Sequence, residues 1–549
     1  MRSRCTLLLR YAVAWLMCIH LSITTIALAG ADKWLLFRNT PDGAATCEAS
    51  LRFPLFLKWK FQPDIVTRRH TISPVTDGEN VYYACGRTIY AINCDVGQLS
   101  WAYDAPQTIT CPLAIAGDLV IAATSGGHVF ALKAKSGVLE WTFRAQAGIG
   151  VPPFLFDGYL LVLTHTGVAH LIDVAHGDEL ATVQLPTSVV SIPAKSSDWL
   201  SMITSNRRML IVGLKRHDKG VSIEVLANSP LGVGSAPTQP IAQSPFVYVG
   251  VGRSLCIYDV RWRKITRQVA LPDIAIGAQA LKEKTIYIAT RSGTVHAIDV
   301  ESGKEIWQQN LKQPIYSGVS ASADSVFVTA ASGLVYALSA EDGKVIWRFK
   351  LGDENPYDEG RARIYSPPVV TSNGVYVTSS DGSLYAFCSD FIDSTPPVFV
   401  SASLRIPSKD PTRFVLYKLA EATDEKPTQV PGYPPIKLLL TLSDAGSGID
   451  PAGFQATCTR LPKLPFEFDE TKGTLTLDIH VPTGKGVRRA LPDGEYLVVV
   501  TSKDYAGNIG RYRLRFQINN SLPLPSPPEI APTTPGAPTT SEYGAPFGG

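Results

Sequence analysis

The stretch Ser325 to Trp347, SVFVTAASGLVYALSAEDGKVIW, constrains this chain more than any other, because worn copies of it recur along most of the sequence. It reads as two short strands of alternating apolar and polar residues, a tight turn at Ser332-Gly333, a second turn at Asp342-Gly343, and a third strand carrying Trp347. Its aromatic Tyr336 lies 40 residues after His296 (336 − 296), and Tyr90, Phe130, His170 and Leu210 follow one another at the same interval. A fixed period of this length means a repeat architecture, in which each unit buries its apolar face against its neighbours.

Eight copies align on one core strand: residues 88–93, 128–133, 168–173, 208–213, 254–259, 294–299, 334–339 and 383–388. In four of them a Gly follows the aromatic position by 7 residues and a Trp by 11: Gly97 and Trp101, Gly137 and Trp141, Gly303 and Trp307, Gly343 and Trp347. Units three to five have lost the Trp, with Ala181 at the third. An inner strand upstream of each pair (TISPVT, ITCPLA, IYSPPVV) brings the count to four strands per unit, and four-stranded sheets set radially make a β-propeller with short, protected edges. The eighth unit stops at Asp390 without an outer strand, whereas the segment ending in LKWKFQ, with Trp59, looks like an outer strand without a unit. The expected fold is therefore all-β: an eight-bladed propeller closed by an N-terminal strand, followed by a small sandwich. Trp59, Trp101, Trp141, Trp307 and Trp347 are expected to wedge between blades and do no chemistry.

The pattern quoted as VFVTAASGLVYALSAEDGKVIW and TIYIATRSGTVHAIDVESGKEIW resembles the quinoprotein-like (PQQ-like) propeller repeat, over roughly Trp34 to Asp390. A Trp-Asp pair, the mark of WD40 propellers, is missing: Ala, Thr, Gln and Arg follow Trp101, Trp141, Trp307 and Trp347. Because the PQQ-like family includes alcohol dehydrogenases, the resemblance carries an enzyme alternative, with PQQ and Ca²⁺ as cofactors, a vicinal disulfide, and a carboxylate and amide set around a catalytic Asp. No Cys-Cys pair occurs here and no cofactor residue transfers to a matching motif, so neither catalysis nor a cofactor is expected. Within the family the nearest functional analogy is with propeller proteins that help outer-membrane β-barrels assemble.

The flanks complete the organisation. Residues 1–29 carry Arg2, Arg4 and Arg10 ahead of an apolar run ending Ala27-Leu28-Ala29, as in a secretory signal peptide. Gly30, not a Cys, stands directly after that cleavage point, so a lipid anchor is not expected, and membrane contact would come only through an uncleaved N-terminal segment. Removing three arginines takes the formal charge from +3 to 0, which argues against nucleic acid as a partner. Residues 30–390 form the propeller. Residues 391–519, with KLLLTLSDAGSGID and DYAGNIGRYRLRF, resemble a bacterial immunoglobulin-like sandwich, and 520–549, with eight Pro, read as a disordered spacer. Adhesion through the sandwich is a further alternative.

Chemistry-bearing residues concentrate in the turns. Alternate turns of antiparallel blades lie on opposite faces, so the turns between second and third strands share a face with the loops linking blades. That face gathers Arg87, Arg207, Arg253 and Arg291, with Arg68 and Arg69 in the loop into the first blade and Arg361 and Arg363 in the longest loop, which stretches the last period to 49 (385 − 336). Guanidinium groups suit carboxylate or phosphate, pointing to an envelope protein or an anionic polymer. Seven cysteines follow residue 29; Cys85 and Cys111 fall in neighbouring blades on one face and are candidates for a disulfide. Asp444, Asp450, Asp504 and Asn508 could gather round a Ca²⁺, but SDAGSG and DYAGN also read as ordinary Asx turns, so no metal is assigned.

Overall fold

The computed structural model describes residues 32–64, 72–217, 220–232, 237–352, 363–410, 412–421, 426–461, 464–480 and 489–526. The signal-peptide segment, Arg68, Arg69, Arg361 and residues 527–549 of the Pro-rich tail lie outside them, whereas the start of that tail, expected to be disordered, is tied to the sandwich: Asn520 Nδ2 donates to the Leu491 carbonyl at 2.8 Å and the Pro525 carbonyl accepts from Lys409 N at 2.9 Å. Every described element is a strand, and among the described residues no helix is long and apolar enough to cross a membrane.

The repeat folds into eight consecutive four-stranded antiparallel units. In the seventh the order from inside outward is Ile315–Ala321, Ser325–Ala330, Leu334–Ser339 and Val345–Lys350. Middle strands such as Ser325–Ala330 are buried residue after residue, because a neighbouring unit covers each face. Outer strands such as Leu99–Asp104 bury only their Trp fully and alternate with exposed residues. Units six and seven touch most closely: a parallel bridge pairs Ala278 with Gly318, and any side chain at Gly318 would strike the Ala278 backbone. In the fourth unit the outer pair runs on as a long hairpin, Arg208–His217 with Gly220–Pro230, which the polar sequence there had not suggested.

Three of the outer-strand Trp residues show the reach into the next unit. Trp101 Nε1 donates to the Ala134 carbonyl at 2.7 Å, Trp141 to Val174 at 2.9 Å, and Trp307 to Ala340 at 2.9 Å. The ring lies over the Gly of that unit's last turn. At Gly137, with φ of 68°, an added Cβ would fall 2.7 Å from the Trp101 ring, which is why the repeat keeps Gly four residues ahead of Trp. In unit five Arg267 takes the Trp's place, its Nη1 donating to the Val300 carbonyl at 3.2 Å beside Gly303. Gly137→Ala should cost about 1–3 kcal/mol more than Gly117→Ala in equilibrium urea denaturation. Gly117 has a similar φ of 61° but open space around it, so it isolates the backbone part of the cost.

The eighth unit comprises Val369–Thr371, Gly374–Thr378 and Leu384–Cys388, and its outermost place is filled by Phe56–Phe61 from the N-terminal end, paired antiparallel with Leu384–Cys388. Thr378 Oγ1 donates to the Ile72 carbonyl at 2.9 Å, joining unit eight to unit one. Before that strand, the arm from Trp34 to Ala49 runs along the inner strands and offers its carbonyls to one unit after another. Trp34 O accepts from Thr76 N at 2.9 Å, Leu35 O from Ile115 N at 2.9 Å, Pro41 O from Lys195 N at 2.7 Å, Asp42 O from Ala242 N at 2.9 Å, Ala44 O from Leu281 N at 2.9 Å and Ala49 O from Ala323 N at 2.9 Å.

The C-terminal strands build a two-sheet sandwich, five strands facing four. Along Ile436–Ser443 and Gly494–Asp504 buried and half-buried residues alternate, as a sheet with one covered face requires. Leu404, Leu438, Leu440 and Leu477 meet Val498, Val500, Leu514 and Phe516 in one core. The sandwich is docked on the propeller. Trp347 has no further blade with a turn to reach, and its Nε1 donates instead to the Ser447 carbonyl of the sandwich at 3.0 Å, while Gly446 O accepts from Leu57 N at 3.2 Å. Arg348 pairs with Glu470, which also accepts from Tyr336 Oη at 3.3 Å.

Candidate binding face

In units three, four and six the turn between second and third strands is built the same way. A Thr ends the second strand, and its hydroxyl both accepts from the backbone N–H and donates to the carbonyl four residues on: Thr164 with Val168 at 3.0 and 3.2 Å, Thr204 with Arg208 at 3.0 and 3.2 Å, Thr290 with Thr294 at 3.3 and 3.1 Å. The residue before the third strand then turns its carbonyl to the chain leaving the outer strand: Arg87 O accepts from Ala105 N at 2.9 Å, Arg207 O from Leu231 N at 3.1 Å, Arg253 O from Leu271 N at 2.8 Å. These bonds tie turn and connecting loop together on one face of each unit.

Arg87, Arg207, Arg253 and Arg291 are all exposed in these turns. Arg363 is exposed as well, held by its backbone to the equivalent turn of unit eight, where its carbonyl accepts from Ser380 N at 2.7 Å. Arg207 sits in the left-handed region with φ of 60°. Arg253 Nη2 donates to the Pro272 carbonyl, whereas Arg208 is drawn down to the sheet, its Nε donating to Asn228 Oδ1 at 2.8 Å. Among the described residues none of the five exposed arginines is in an ion pair. The same face carries an aromatic feature that sequence had not indicated: half-exposed Tyr316 and Tyr365, from the starts of units seven and eight, with ring centroids 6.4 Å apart. Strand patterning could not pair them, because the long loop of unit eight lies between.

On the opposite face acidic turn residues are largely compensated. Asp157 pairs with Lys195 at 3.0 Å and Asp118 with Lys133 at 3.9 Å, while Asp77 caps the Glu79 and Asn80 amides and accepts from Tyr82 Oη at 2.7 Å. Here too the arm lays Leu36, Phe37 and Arg38 against Pro152, Pro193 and Pro240. Arg38 is buried, and its Nη2 donates to the Gln279 carbonyl while Nε and Nη1 find no partner. Burial pulls this guanidinium down to about 9, against the opposing pull of Asp42.

The dehydrogenase chemistry implied by the repeat does not fit these residues. The arm lies where the inner strands converge, no two cysteines are adjacent, and the carboxylate trio found among the described residues belongs to the sandwich and its linker. The expected Cys85–Cys111 disulfide is also corrected. Cys111 is a free thiol, buried and pushed up to about 11 by desolvation. Alternation along Asn80–Cys85 sends Cys85 toward the core shared with unit eight, while Ile109 and Leu113, which flank Cys111, join the core between units one and two. The Asp, Asn group is partly assembled: Asp444 and Asp504 come together, Asp450 instead caps the Ala452 amide at 2.9 Å, and Asp393 from the linker joins unforeseen.

Comparison with known proteins agrees with the fold. A family profile described as outer membrane protein assembly factor BamB matches residues 57–152 and 291–390. Outer membrane protein assembly factor BamB of Bordetella pertussis is 22% identical over 350 residues, 59% of this chain and 88% of that protein. Its namesake from Moranella endobia is 25% identical over 235 residues, 41% of this chain and 53% of that one. Among solved structures, BamB from Moraxella catarrhalis superposes with a TM-score of 0.50 at 15% identity, over 61% of this chain and 99% of that one. A europium-containing methanol dehydrogenase gives 0.53 at 13%, over 66% and 99%. At such identities the two superpositions speak to fold alone. Repeat, sheet order and family match agree that the chain carries an all-β propeller of the quinoprotein-like (PQQ-like) repeat family.

Proposed function

We propose that this chain is a non-catalytic binding or scaffolding protein of the bacterial cell envelope, exported by its N-terminal segment, that engages a carboxylate-bearing envelope partner through the Arg-lined face. One observation carries the reading. Five exposed arginines come from turns and loops that strand order assigns to one face of different units, and among the described residues none is in a direct ion pair, while Asp77, Asp118 and Asp157 in the turns opposite are capped or paired. Unpaired Arg side chains fixed by rigid turns offer bidentate contacts at small cost in side-chain entropy. Tyr316 and Tyr365 add an apolar anchor of the kind that concentrates binding energy. Similarity to proteins named as outer membrane assembly factors supports a partner within that machinery.

Reversing Arg87, Arg207, Arg253 and Arg291 to Glu tests the reading by affinity capture from detergent-solubilised envelopes of the native host. The expected result is a fall in captured partner of about tenfold or more at low salt, because rim charges govern encounter and salt dependence. The melting midpoint should stay close to that of the parent, since exposed turn positions contribute little to stability. Equal capture by parent and variant would overturn the proposal.

A further inference from the structure

Three carboxylates meet where the propeller joins the sandwich. Asp393 comes from the linker, Asp444 follows Ile436–Ser443, and Asp504 ends Gly494–Asp504, yet one oxygen from each lies within 4.8 Å of the others. Asp444 is 2% exposed and Asp504 is fully buried. Among the described residues none of the three is in an ion pair. Hydrogen bonds reach every oxygen of the three but one: Asp393 Oδ1 accepts from Thr395 N at 2.9 Å and Oγ1 at 2.7 Å, and Asp504 Oδ1 from Asn508 N at 2.7 Å. Asp393 Oδ2 accepts from Ser447 N and Oγ, both at 2.9 Å; Asp444 Oδ1 accepts from Gly446 N at 2.7 Å; Asp504 Oδ2 accepts from Asn508 Nδ2 at 2.8 Å. Asp444 Oδ2 is buried without any hydrogen-bond partner. An acceptor left bare among two other carboxylates is a cost that native proteins remove with a proton, a water or an ion.

We infer that Asp393, Asp444 and Asp504 form a calcium site that pins the sandwich to the propeller. The donors are hard oxygens only, which excludes a preference for zinc or copper. Calcium takes such ligands at about 2.3–2.6 Å in loose geometry, so one ion can span oxygens at this spacing, whereas magnesium demands about 2.0–2.1 Å and a tight octahedron. Without an ion, desolvation and the neighbouring carboxylates push Asp444 up to about 7, so a proton is the competing occupant. The site's position gives the ion a structural task. The turn Asp444 to Gly448 supplies Ser447 O to Trp347 and Gly446 O to Leu57, and Asp393 grips the Ser447 backbone from the linker side. Fixing three carboxylates around one ion fixes that turn, and with it the contact between the two parts.

The test is calcium titration of the full-length, EDTA-treated protein by calorimetry, with thermal unfolding in calcium, in magnesium and in EDTA. One ion per chain should bind with a Kd of about 10⁻³ M or tighter, and millimolar calcium should raise the sandwich transition by a few degrees. Asp444→Asn resembles the protonated acid and should fold, melting in EDTA at or above the parent, but its calcium response should vanish. Asp393→Asn, at the more exposed ligand, should lose it as well and serves if the first variant does not fold. Absence of calcium binding in the parent would overturn the inference and leave the proton on Asp444. A calcium shift equal in parent and both variants, or an equal shift with magnesium, would overturn it too.

Discussion

Removing residues 32–61 should abolish the cooperative unfolding transition of the propeller, measured by near-ultraviolet circular dichroism and size-exclusion chromatography. Among the described residues Phe56–Phe61 is the only strand covering Leu384–Cys388 on its outer side, in a register that pairs Phe56 with Cys388 and Lys60 with Tyr385. The same strand reaches across the ring closure. Trp59 Nε1 donates to the Cys94 carbonyl of unit one at 2.9 Å with its ring over Gly97, and Phe61 meets Tyr83 and Tyr90 at 6.3 and 5.5 Å. Truncating a large aromatic typically costs about 3–5 kcal/mol, so losing two approaches the roughly 5–15 kcal/mol by which such domains are stable at all. The arm carbonyls would leave their partner amides on the propeller unpaired in addition. A truncated chain that melts cooperatively at the parent's temperature would refute the closure argument.

What the sequence disclosed and what it hid divide along a physical line. Turn chemistry and strand periodicity are local, so the core strands from Thr88–Asn93 to Leu384–Cys388 could be placed to within a residue or two, except in unit four. The missing outer strand of unit eight was legible as a shortfall, and Trp59 marked what fills it. The arm's path was not, because it binds through backbone carbonyls, which leave no side-chain pattern. In unit four, LKRHDKGVSIE alternates too weakly to separate an extended hairpin from a solvated loop. That Arg87, Arg207, Arg253 and Arg291 sit in exposed turns after the second strand was legible from strand order, whereas the Tyr316–Tyr365 pair required a distance across a loop. Asp393 was invisible as a ligand because it lies in a Pro-flanked linker with no motif of its own, brought to Asp444 and Asp504 only by docking. Parity misled at Cys85 and Cys111: it placed them on one end of the blades but ignored the side of the sheet each thiol faces.

Trp347→Ala should be the most damaging of the outer-strand Trp truncations and the one that frees the sandwich. Trp347 is fully buried, where Trp101, Trp141 and Trp307 keep 8–9% exposure, and its ring packs against Phe349 and Phe387 with centroids 6.2 and 5.3 Å away. About 3–5 kcal/mol should be lost from the propeller transition in urea. Trp307→Ala supplies the control, because Trp307 donates to Ala340 inside the propeller and touches nothing of the sandwich's hydrogen bonding. Both variants should weaken the ring, but only Trp347→Ala removes the donor to Ser447, so only it should speed limited proteolysis between residues 389 and 397. Trp347→Phe keeps most of the packing and loses the hydrogen bond, and should fall between parent and Ala at a cost of about 1–2 kcal/mol. Equal linker cleavage in Trp307→Ala and Trp347→Ala would mean that the sandwich is held by the Arg348–Glu470 and Tyr336–Glu470 contacts instead. Accelerated cleavage in Trp347→Ala alone would show that the Trp series has a second use at its end: the contact that joins blade to blade, repeated once more, joins the propeller to its neighbour.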